Sequence, residues 1–578
     1  MSWALIKISQ NLSSADNDFK FSNSLFTYSD HGLSIRTGGN PKTCLSYLDN
    51  QTNSGFLILG VLIDKNIGIL NLSDIENWKH KLDNFHPQNF DGHFIIIKWN
   101  QNNIHIFSDI LGLRDIYLYR NSSEIILATN PLHLKNYTEL KIDFNTFGSR
   151  WLLFNQISTD SVFQNIVRIS SGNSLQIDRH TLEIKKKKYD FNPSYNSDFI
   201  NEDFEATLKN IIELPLSQNN KLSLSLSGGL DSRLLLSYLL NNKSSDWSVH
   251  TFGAINNPDR IIAEQIISTF NIKNEIISNV LPDKDELIKE IEEYSSFTMA
   301  SYPSSDIIQL LNYKPLQGKF EVIIDGGFGE IWRRQFLNRL YFFGKNVIQN
   351  KNFSEIIRHL TLPKADIFNN DTQKEFHSGT IRQLEEITNQ LPDPSEIGIA
   401  NWLDLFSIKT RLPNLYAQEQ IRLDHSIINF MPFAQLSLLN YLFTLNINKR
   451  KNSRLIKKLI KSNNYRLTKI PLTKNDVIYP FDTSSLILAV ILKINKKTKK
   501  LDIDETKNQF FKTLSEFTGD LINSKNVKEY YAYDYKKISL IYNNYIKNPD
   551  IYHAQLDWFL AFEFFRQTLN NKSKTQTV

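Results

Sequence analysis

Short runs of apolar residues, separated by polar turns, dominate the first 190 positions of the chain. The runs 56–62, 94–99 and 104–107 are rich in Ile, Leu and Phe and are bounded by Asn, Asp or Gly, which is typical of β-strands. Residues 100–103 favour a hairpin turn between the last two runs. The pattern therefore predicts that the first part of the chain is rich in β-structure.

The pattern changes after residue 184. A lysine run and Asn-Pro-Ser-Tyr-Asn lie within positions 185–196, and this composition predicts a linker. From a helix expected at 204–214 to about position 330, apolar strands alternate with amphipathic helices, as in a parallel sheet with crossover helices. Further helices are expected at 402–408, 436–445 and 556–569. We therefore predict two domains, residues 1–190 and 197–578.

Composition narrows the classes of protein to be considered. The 578 residues include 66 Lys and Arg against 61 Asp and Glu, and the net charge of +5 gives no argument for a nucleic-acid partner. Cys44 is the single cysteine, which excludes a disulfide framework and a cysteine-based metal site. The chain has neither a run of about twenty apolar residues nor a signal-peptide pattern, so we expect a cytoplasmic protein with no membrane span.

The most informative segment is the strand–turn–helix sequence Leu-Ser-Leu-Ser-Leu-Ser-Gly-Gly-Leu-Asp-Ser-Arg at 222–233. Gly228 and Gly229 allow the backbone to approach an anion closely, and the helix that follows directs its partial positive charge at phosphate. Asp231 supplies the hard oxygen ligand that Mg²⁺ prefers. The spacing differs from a Walker A loop and resembles the loop of ATP pyrophosphatases, which cleave ATP between the α- and β-phosphates. The ATP contacts expected here are Leu226, Ser227, Gly228, Gly229, Asp231 and Ser232.

Several motifs, in this order, resemble the asparagine synthetase family over most of the chain. Residues 91–94, 109–119 and 163–172 are similar to three stretches of that family's glutaminase domain. The resemblance implies an α/β plus α+β protein. Its first domain would be an aminohydrolase-like β-sandwich with helices, and its second a parallel-sheet ATP-pyrophosphatase domain with a helical extension.

The first domain departs from the family at its catalytic residue. The family's glutaminase uses a cysteine directly after the initiator Met, whereas this chain has Ser2. An Arg-Gly-Pro-Asp segment of the kind that holds glutamine is also missing from the sequence. We therefore expect a glutaminase-like domain without glutaminase activity, as in β-lactam synthetases and lasso-peptide macrolactam synthetases. A glutaminase that uses Ser2 is the alternative.

The resemblance also implies a second loop at the nucleotide. Phe252 ends the next predicted strand, where the family packs the adenine. Residues 325–330, Asp-Gly-Gly-Phe-Gly-Glu, follow a buried strand and are similar to the family's second glycine loop. The further ATP contacts expected are Phe252, Asp325 and Gly326. Glu330 is the expected Mg²⁺ ligand beside Asp231, with Asp325 as the alternative.

A lysine near the end of the second domain completes the expected site. Residues 470–480 look like the segment that carries the family's catalytic lysine, and this similarity assigns that role to Lys474, with Lys469 as the alternative. A cation is needed there because negative charge develops on the acyl oxygen and the departing phosphate. The family's Glu and Arg before a Pro-Phe pair are replaced by Ile428 and Phe430, which is a feature expected of a non-catalytic relative.

Together these features imply an ATP-dependent ligase that forms an amide through an acyl-adenylate and releases AMP and pyrophosphate. ATP and Mg²⁺ are the implied cofactors. The implied substrates are a small-molecule or peptide carboxylate and an amine or ammonia, and a homodimer or a partner biosynthetic protein stays open. A glutamine-dependent amidotransferase and a non-catalytic ATP-binding protein are the competing hypotheses.

Overall fold

The computed structural model describes residues 2–10, 24–71, 74–195, 201–218, 220–244, 246–418, 423–424, 427–498 and 505–570. The strands of its first part are β1 (Trp3–Ser9), β2 (Phe26–Asp30), β3 (Leu33–Gly38), β4 (Cys44–Asp49), β5 (Ser54–Asp64), β6 (Gly68–Ile69), β7 (Asp91–Trp99), β8 (Asn103–Ser108), β9 (Ile116–Arg120), β10 (Glu124–Ala128), β11 (Val167–Ile169), β12 (Asn173–Asp178) and β13 (Ile184–Lys188). The helices of this part are α1 (Ile75–Asp83) and α2 (Phe144–Leu152). The strands expected at 56–62, 94–99 and 104–107 lie in β5, β7 and β8, and the hairpin between the last two is confirmed.

These strands form two antiparallel sheets that pack face to face. Their orders are β11-β9-β10-β1-β3-β2 and β13-β12-β8-β7-β5-β4, with β6 paired to β5. Inward-facing side chains of both sheets form one core that includes Ile6, Ile35, Leu59, Ile95 and Ile106. The outer face of the second sheet packs on Trp78 of α1, and that of the first packs on α2. Because β7 is buried on both faces, its central residues 94–97, Phe-Ile-Ile-Ile, are all apolar rather than alternating with polar ones.

The second part is built on a parallel sheet. Its strands are β14 (Leu222–Ser225), β15 (Trp247–Phe252), β16 (Asn274–Ile277), β17 (Val322–Ile324) and β18 (Ile428–Phe430), in the order β16-β15-β14-β17-β18. The helices up to the end of this sheet's segment are α3 (Asn201–Ser217), α4 (Leu230–Leu239), α5 (Pro258–Phe270), α6 (Lys284–Thr298), α7 (Ile307–Leu311), α8 (Asn338–Phe343), α9 (Lys345–Gln349), α10 (Phe353–Leu360), α11 (Asn370–Asn389), α12 (Pro394–Ile397) and α13 (Ile399–Arg411). The strand order reverses between β14 and β17. In open α/β sheets, a reversal of this kind leaves a crevice at the carboxyl ends of the strands, and ligands bind there.

A hairpin and a group of helices complete the chain. The hairpin is β19 (Leu472–Lys474) and β20 (Val477–Tyr479). The helices are α14 (Leu436–Leu442), α15 (Ile447–Arg450), α16 (Arg454–Asn463), α17 (Ser485–Thr498), α18 (Glu505–Thr513), α19 (Ser515–Asn523), α20 (Lys525–Lys528), α21 (Tyr535–Lys547) and α22 (Pro549–Asn570). The predicted mixture of antiparallel and parallel sheets with a helical C-terminal part is confirmed. No helix in the described ranges is long and apolar enough to cross a membrane.

The linker prediction for 185–196 is wrong over its first part. Residues 185–188 belong to β13, which pairs with β12 at the edge of the second sheet. A row of lysines is a common protection of an exposed edge strand, because charge opposes pairing with another chain. The next described residues after 195 begin α3, so the end of the predicted linker, residue 196, lies outside the described residues.

Buried polar contacts join the two antiparallel sheets to the parallel sheet. The carboxylate of Asp424, just before β18, forms an ion pair with the guanidinium of Arg114, and both are almost fully buried. His93 Nε2 lies 3.2 Å from the carbonyl oxygen of Asn429 in β18. Burial and the neighbouring Arg114 hold the pKa of His93 well below its usual range, so the imidazole is neutral. One edge of the parallel sheet is thus fixed on the N-terminal part of the chain.

Candidate functional site

The turn after β14 lies at the reversal point of the parallel sheet. Gly229 precedes the first turn of α4, and Ser227 and Ser232 face each other with their hydroxyl oxygens 3.0 Å apart. The amide of Gly229 donates to Ser227 Oγ at 3.2 Å. Leu226 is buried, and its amide donates to the carbonyl of His250 in β15 at 2.9 Å. The turn is therefore held to the sheet by hydrogen bonds, and it leads directly into the amino end of α4, which carries partial positive charge.

The two glycines of this turn have different surroundings. A Cβ on Gly228 would lie 2.4 Å from Thr473 Oγ1, because the amide of Thr473 donates to the Gly228 carbonyl at 3.0 Å. A Cβ on Gly229 would have its nearest contact at 3.3 Å, to Ser227 Oγ. Gly228 is thus required for packing against the β19 strand, whereas Gly229 is the less crowded of the two.

Asp259, in the first turn of α5, connects two parts of the site. Asn257 is the N-cap of α5 and Pro258 is its first residue, an arrangement that Pro favours because its ring pre-sets the helical φ. Asp259 Oδ1 instead accepts the amide of Gly228 at 3.0 Å and the hydroxyl of Thr473. Its carboxylate therefore ties the phosphate-loop candidate to the hairpin that carries the lysine.

Arg233 also connects the turn after β14 to the hairpin that carries the lysine. Its guanidinium is fully buried and donates to the carbonyls of Ile470 and Pro471, both at 2.7 Å. These bonds satisfy backbone acceptors just before β19 and fix this stretch on α4. The lysine hairpin is consequently part of the same rigid body as the turn after β14.

The second glycine loop, residues 325–330, packs directly on Asp231. A Cβ on Gly326 would lie 2.8 Å from Asp231 Cβ, and one on Gly329 would lie 2.4 Å from Asp231 Cγ. Glycine is needed at both positions because no side chain fits in that gap. Gly327 donates its amide to Asp325 Oδ1 at 2.6 Å, so Asp325 shapes the loop's own turn. The structure thus brings Asp231, Asp325, Gly326 and Glu330 together.

Phe328, inside this loop, has a backbone conformation that non-glycine residues rarely adopt. Its φ is +64°, and its ring is completely buried 5.1 Å from the ring of Phe336 and 5.1 Å from that of Tyr416. A bulky residue in the left-handed region costs about 1–3 kcal/mol, and such strain is concentrated at functional sites. The aromatic contacts hold the loop in this conformation.

Charged groups of both signs converge on Asp231. Arg333 Nη2 lies 2.5 Å from Asp231 Oδ2. Burial, together with the nearby Glu330 carboxylate, raises the pKa of Asp231 to about 6, while Arg333 and Lys474 act in the opposite direction. These electrostatic effects place the carboxylates and the cations in one cluster at the sheet edge.

Lys474 also belongs to this cluster. It ends β19, and its Nζ donates to Gln335 Oε1 at 3.2 Å, an oxygen that also accepts from Arg333 at 2.9 Å. Burial, then the charge of Arg333, lowers the pKa of Lys474. Lys469, the alternative, is exposed and its Nζ lies 4.8 Å from the centre of the Tyr465 ring. Of the two lysines, Lys474 is the one that lies in the cluster around Asp231.

Phe252 ends β15 as expected, but its ring lies in a small apolar cluster. The ring centre is 4.9 Å from that of Tyr313 and 5.1 Å from that of His250. This cluster also contains Ile323 and Ile427. The contacts of Phe252 are therefore with the sheet face, and its expected contact with adenine stays a prediction.

Arg333, Gln335 and Asp259 were missed by the sequence interpretation. Two consecutive arginines directly after a glycine loop, Arg333 and Arg334, were a usable signal, because cations are expected near a phosphate site. The side chain of Arg334 instead lies within a buried group, 3.6 Å from Asp404, which also pairs with Arg450 at 2.7 Å. The two neighbouring arginines thus have different partners, and the sequence alone does not indicate which of them lies beside Asp231.

The residues present fit a magnesium ion that is shared with phosphates. Asp231 Oδ1 is buried and has no hydrogen-bond partner among the described residues, so it is available as a ligand. Within the same ranges no group of three or more His, Cys, Asp or Glu side chains is placed to hold a metal by itself. Mg²⁺ is usually bound through one or two carboxylates plus substrate phosphates, and Asp231 with Glu330 meets that requirement.

Comparison with known proteins gives weak likenesses. No protein-family model matches the chain, and no curated protein matches it. Among solved structures, NMN synthetase from Francisella tularensis is similar at 15% identity, over 44% of this chain and 97% of that chain, with a TM-score of 0.19. An allosteric regulatory enzyme of purine biosynthesis is similar at 9% identity, over 48% of this chain and 74% of that chain, with a TM-score of 0.21.

A third similar structure is the U34-tRNA thiolase NcsA from Methanococcus maripaludis. It matches at 12% identity over 40% of this chain and 85% of that chain, with a TM-score of 0.20. TM-scores this low support no inference about fold or function, so the candidate site depends on its own geometry.

The two glycines after β14 give a first testable contrast. Gly228→Ala should lower the free energy of unfolding by about 2 kcal/mol, because its Cβ overlaps Thr473. Gly229→Ala should stay within about 1 kcal/mol of the parent, since the one tight contact of its Cβ is with the Ser227 hydroxyl, at 3.3 Å, and a small shift relieves it. Urea denaturation followed by circular dichroism measures both. Equal losses for the two variants would show that Thr473 does not pack as described.

Proposed function

We propose that this chain is an ATP-dependent, AMP-forming ligase that joins a carboxylate to an amine or ammonia. A carboxylate oxygen attacks the α-phosphorus of ATP and pyrophosphate leaves, after which the amine nitrogen attacks the acyl carbon and AMP leaves. Residues 1–190 are proposed as a glutaminase-like domain without that activity, and residues 197–578 as the ATP-pyrophosphatase domain. The main support is the convergence of two glycine loops, Asp231 and Lys474 at the reversal point of the parallel sheet.

The chain's own groups have distinct proposed roles in binding ATP. Ser227, Ser232 and the first amides of α4 would bind the departing pyrophosphate through hydroxyl and amide donors, and Gly229 would allow the phosphate to approach the backbone closely. Arg333 is proposed to neutralise phosphate charge, since its guanidinium is already held beside Asp231 by Gln335. Asp231 and Glu330 would hold Mg²⁺, which supplies charge neutralisation to the phosphates when bound.

Lys474 is proposed to act in the transfer of the acyl group. Its ammonium is fixed by Gln335 and half-buried, so it is preorganised for charge that develops on the acyl oxygen and the α-phosphate. Asp231 and Glu330 favour its charged form. A fixed cation in a partly desolvated site stabilises the transition state more than it does in water.

The proposed lack of glutaminase activity is supported by the surroundings of Ser2. This residue is 1% exposed, its hydroxyl donates to the Asn40 carbonyl at 3.1 Å, and it also hydrogen-bonds Thr43 Oγ1. The Asn40 side chain in turn donates to the carbonyl of Asp424 at 3.2 Å. The serine hydroxyl is thus part of a buried structural network rather than of an open pocket.

The general test of the proposal is the identity of the nucleotide products. The purified protein would be incubated with MgATP, hydroxylamine and a panel of carboxylic acids, because hydroxylamine traps activated acyl groups as hydroxamates. AMP, pyrophosphate and a hydroxamate are the expected products. ADP and phosphate would contradict the proposed cleavage between the α- and β-phosphates.

Asp231→Asn should reduce ATP–pyrophosphate exchange at least about 100-fold, because it removes the anionic ligand while keeping the shape of the side chain. Its thermal midpoint should fall modestly, because the amide oxygen still accepts from Arg333 while the guanidinium loses its counter-charge. Glu330→Gln and Asp325→Asn, assayed alongside, identify the second ligand, and Glu330→Gln should be the more damaging. Normal exchange in Asp231→Asn would rule out this carboxylate as a metal ligand.

Lys474→Met should lower amide formation by about 100-fold or more, since one preorganised charge contact contributes about 3 kcal/mol to the transition state. ATP affinity, measured by calorimetry with a non-hydrolysable analogue, should change little. Lys469→Met is the matched control, because that exposed lysine lies five residues earlier and should have a minor effect. Small and equal effects of both variants would remove Lys474 from the mechanism.

Glutamine should not be hydrolysed by the unaltered protein, and Ser2→Ala should leave ammonia- or amine-dependent product formation within about twofold of the parent. Ser2→Cys should not create glutaminase activity, because the buried hydroxyl position gives glutamine no access. Release of glutamate from glutamine is the measurement. Serine-dependent release by the parent protein would favour the amidotransferase hypothesis instead.

A further inference from the structure

Helix α17 is apolar on every side, yet it lies on the surface of the protein. Its residues 486–494 read Leu-Ile-Leu-Ala-Val-Ile-Leu-Lys-Ile, with a single charged position. Leu488, Ile491 and Leu492 are half-buried, and none of the side chains of α17 that the structure describes is fully buried. A helix that is hydrophobic all round is normally enclosed by protein or by lipid. The described residues enclose only one side of α17.

The outer side of α17 carries a row of large apolar side chains, which we call the docking face. Ile487 is 58% exposed, Val490 58% and Ile494 57%. Their spacing of three and four residues places them on one side of the helix, and Lys493 is exposed beside them. Single exposed apolar residues are ordinary, whereas a contiguous row of them marks a surface that binds another body.

Positive charge is concentrated in the segment that includes α17. Residues 425–501 contain fifteen lysines and arginines and two acidic residues, Asp476 and Asp482. The whole chain has a net charge of +5, so the residues outside this segment are net negative. A surface that is both apolar and basic is complementary to a membrane that contains anionic lipids.

Exposed cations lie beside the start of α17. Lys457 Nζ, in α16, donates to the carbonyl of Thr483 at 3.0 Å, two residues before α17 begins. Lys469 is exposed, and Tyr465 first and then Asp482 raise its pKa. The Tyr465 ring is itself 52% exposed, and Lys469 Nζ lies 4.8 Å from its centre. The basic surface of α16 and of the turn after it therefore adjoins the residues that lead into α17.

Other occupants fit this surface less well. A second copy of the chain, packed through the same face, would bring two strongly basic segments together, which like-charge repulsion opposes. A nucleic acid would pair with the cations but leave the apolar row in water. The 14 residues of α17 extend about 21 Å, which is too short to cross a hydrocarbon layer of about 30 Å. The helix is therefore suited to the interfacial plane of a membrane.

We propose that α17 docks on the surface of a membrane that contains anionic lipids. The helix lies parallel to the membrane, with its docking face at the boundary between headgroups and acyl chains and Lys493 among the headgroups. The exposed lysines of α16 and of the turn after it attract the anionic headgroups. Because β20 ends at Tyr479 and α17 begins at Ser485, docking holds the hairpin with Lys474 close to the membrane. Membrane docking is independent of the proposed ligase function.

The experiment measures binding of the full-length protein to lipid vesicles by flotation, without nucleotide. Vesicles of phosphatidylcholine are compared with vesicles that also contain about 30 mol% phosphatidylglycerol. The partition coefficient should be about 10-fold or more higher for the anionic vesicles, and high salt should remove most of that difference by screening. Equal binding to both kinds of vesicle, or binding to neither, would overturn the proposal and leave the ligase function untouched.

Glutamine substitutions test the docking face. Ile487→Gln, Val490→Gln and Ile494→Gln together should lower binding to anionic vesicles about 10-fold or more, because these side chains no longer enter the membrane. The thermal midpoint should change little, since the three side chains are exposed. Leu540→Gln with Ile546→Gln is the control, because these apolar residues of α21 are similarly exposed and should have no effect. Unchanged binding by the α17 variant would overturn the proposal.

A second set of variants tests the cations. Lys458→Gln, Lys461→Gln and Lys469→Gln together should lower binding at low salt about 10-fold and make it less sensitive to salt. The control removes the same charge from three exposed lysines near the end of the chain, Lys525, Lys528 and Lys536. Equal losses in the two sets would show a response to net charge alone and would overturn the proposed orientation.

A fluorescent label on α17 distinguishes lipid from a protein partner. Cys44 is the single cysteine and is buried, so Val490→Cys accepts an environment-sensitive dye at the introduced thiol. Anionic vesicles should shift its emission to the blue, and brominated acyl chains should quench it, whereas a dye at Leu540→Cys should show neither change. A dye shielded without vesicles, in a dimer that the α17 glutamine variant dissociates in sedimentation runs, would instead assign the docking face to a second copy.

Discussion

The close approach of two glycine loops around Asp231 is the constraint on which the site depends. Gly326 and Gly329 lie where a Cβ would overlap the Asp231 side chain. The second loop is therefore able to enclose Asp231 only if both positions are glycine. This enclosure buries the Asp231 carboxylate next to two cations, Arg333 and Lys474. The loop also contains Phe328 in a left-handed backbone conformation, which the rings of Phe336 and Tyr416 hold in place. Much of the surrounding packing serves to keep these two loops in contact.

Local features of the site could be predicted from sequence, and long-range ones could not. The turn at 227–229 was predictable because strand, glycines and helix are adjacent in the chain, so the local order of residues indicates their conformation. Arg333 and Arg334, by contrast, are adjacent in sequence, and only the fold places the first beside Asp231 and the second beside Asp404. The edge strand at 185–188 was misjudged because lysine runs have the same composition in linkers and in protected edges.

The N-terminal sheets have a structural role that is independent of any chemistry at Ser2. Arg114 and Arg168 each bury a guanidinium against the second part of the chain, Arg114 on Asp424 before β18 and Arg168 on Pro413 and Asn414. Without these sheets the buried Asp424 carboxylate would lose its cation, which costs about 3–5 kcal/mol, and the Pro413 carbonyl and the Asn414 side chain would lose their donor. Removal of the sheets would therefore disturb the edge strand next to β17 and the segment at 413–414.

The bonds that Arg233 and Asp259 make to residues 470–473 have a consequence for how the protein matures. These contacts span more than 200 positions of sequence, so they form only after most of the polypeptide exists and a long loop has closed. A nascent chain released before this stretch emerges would contain both glycine loops but lack its lysine. A ligand that binds only when both glycine loops and the lysine hairpin are in place would stabilise the full-length folded chain and not truncated products.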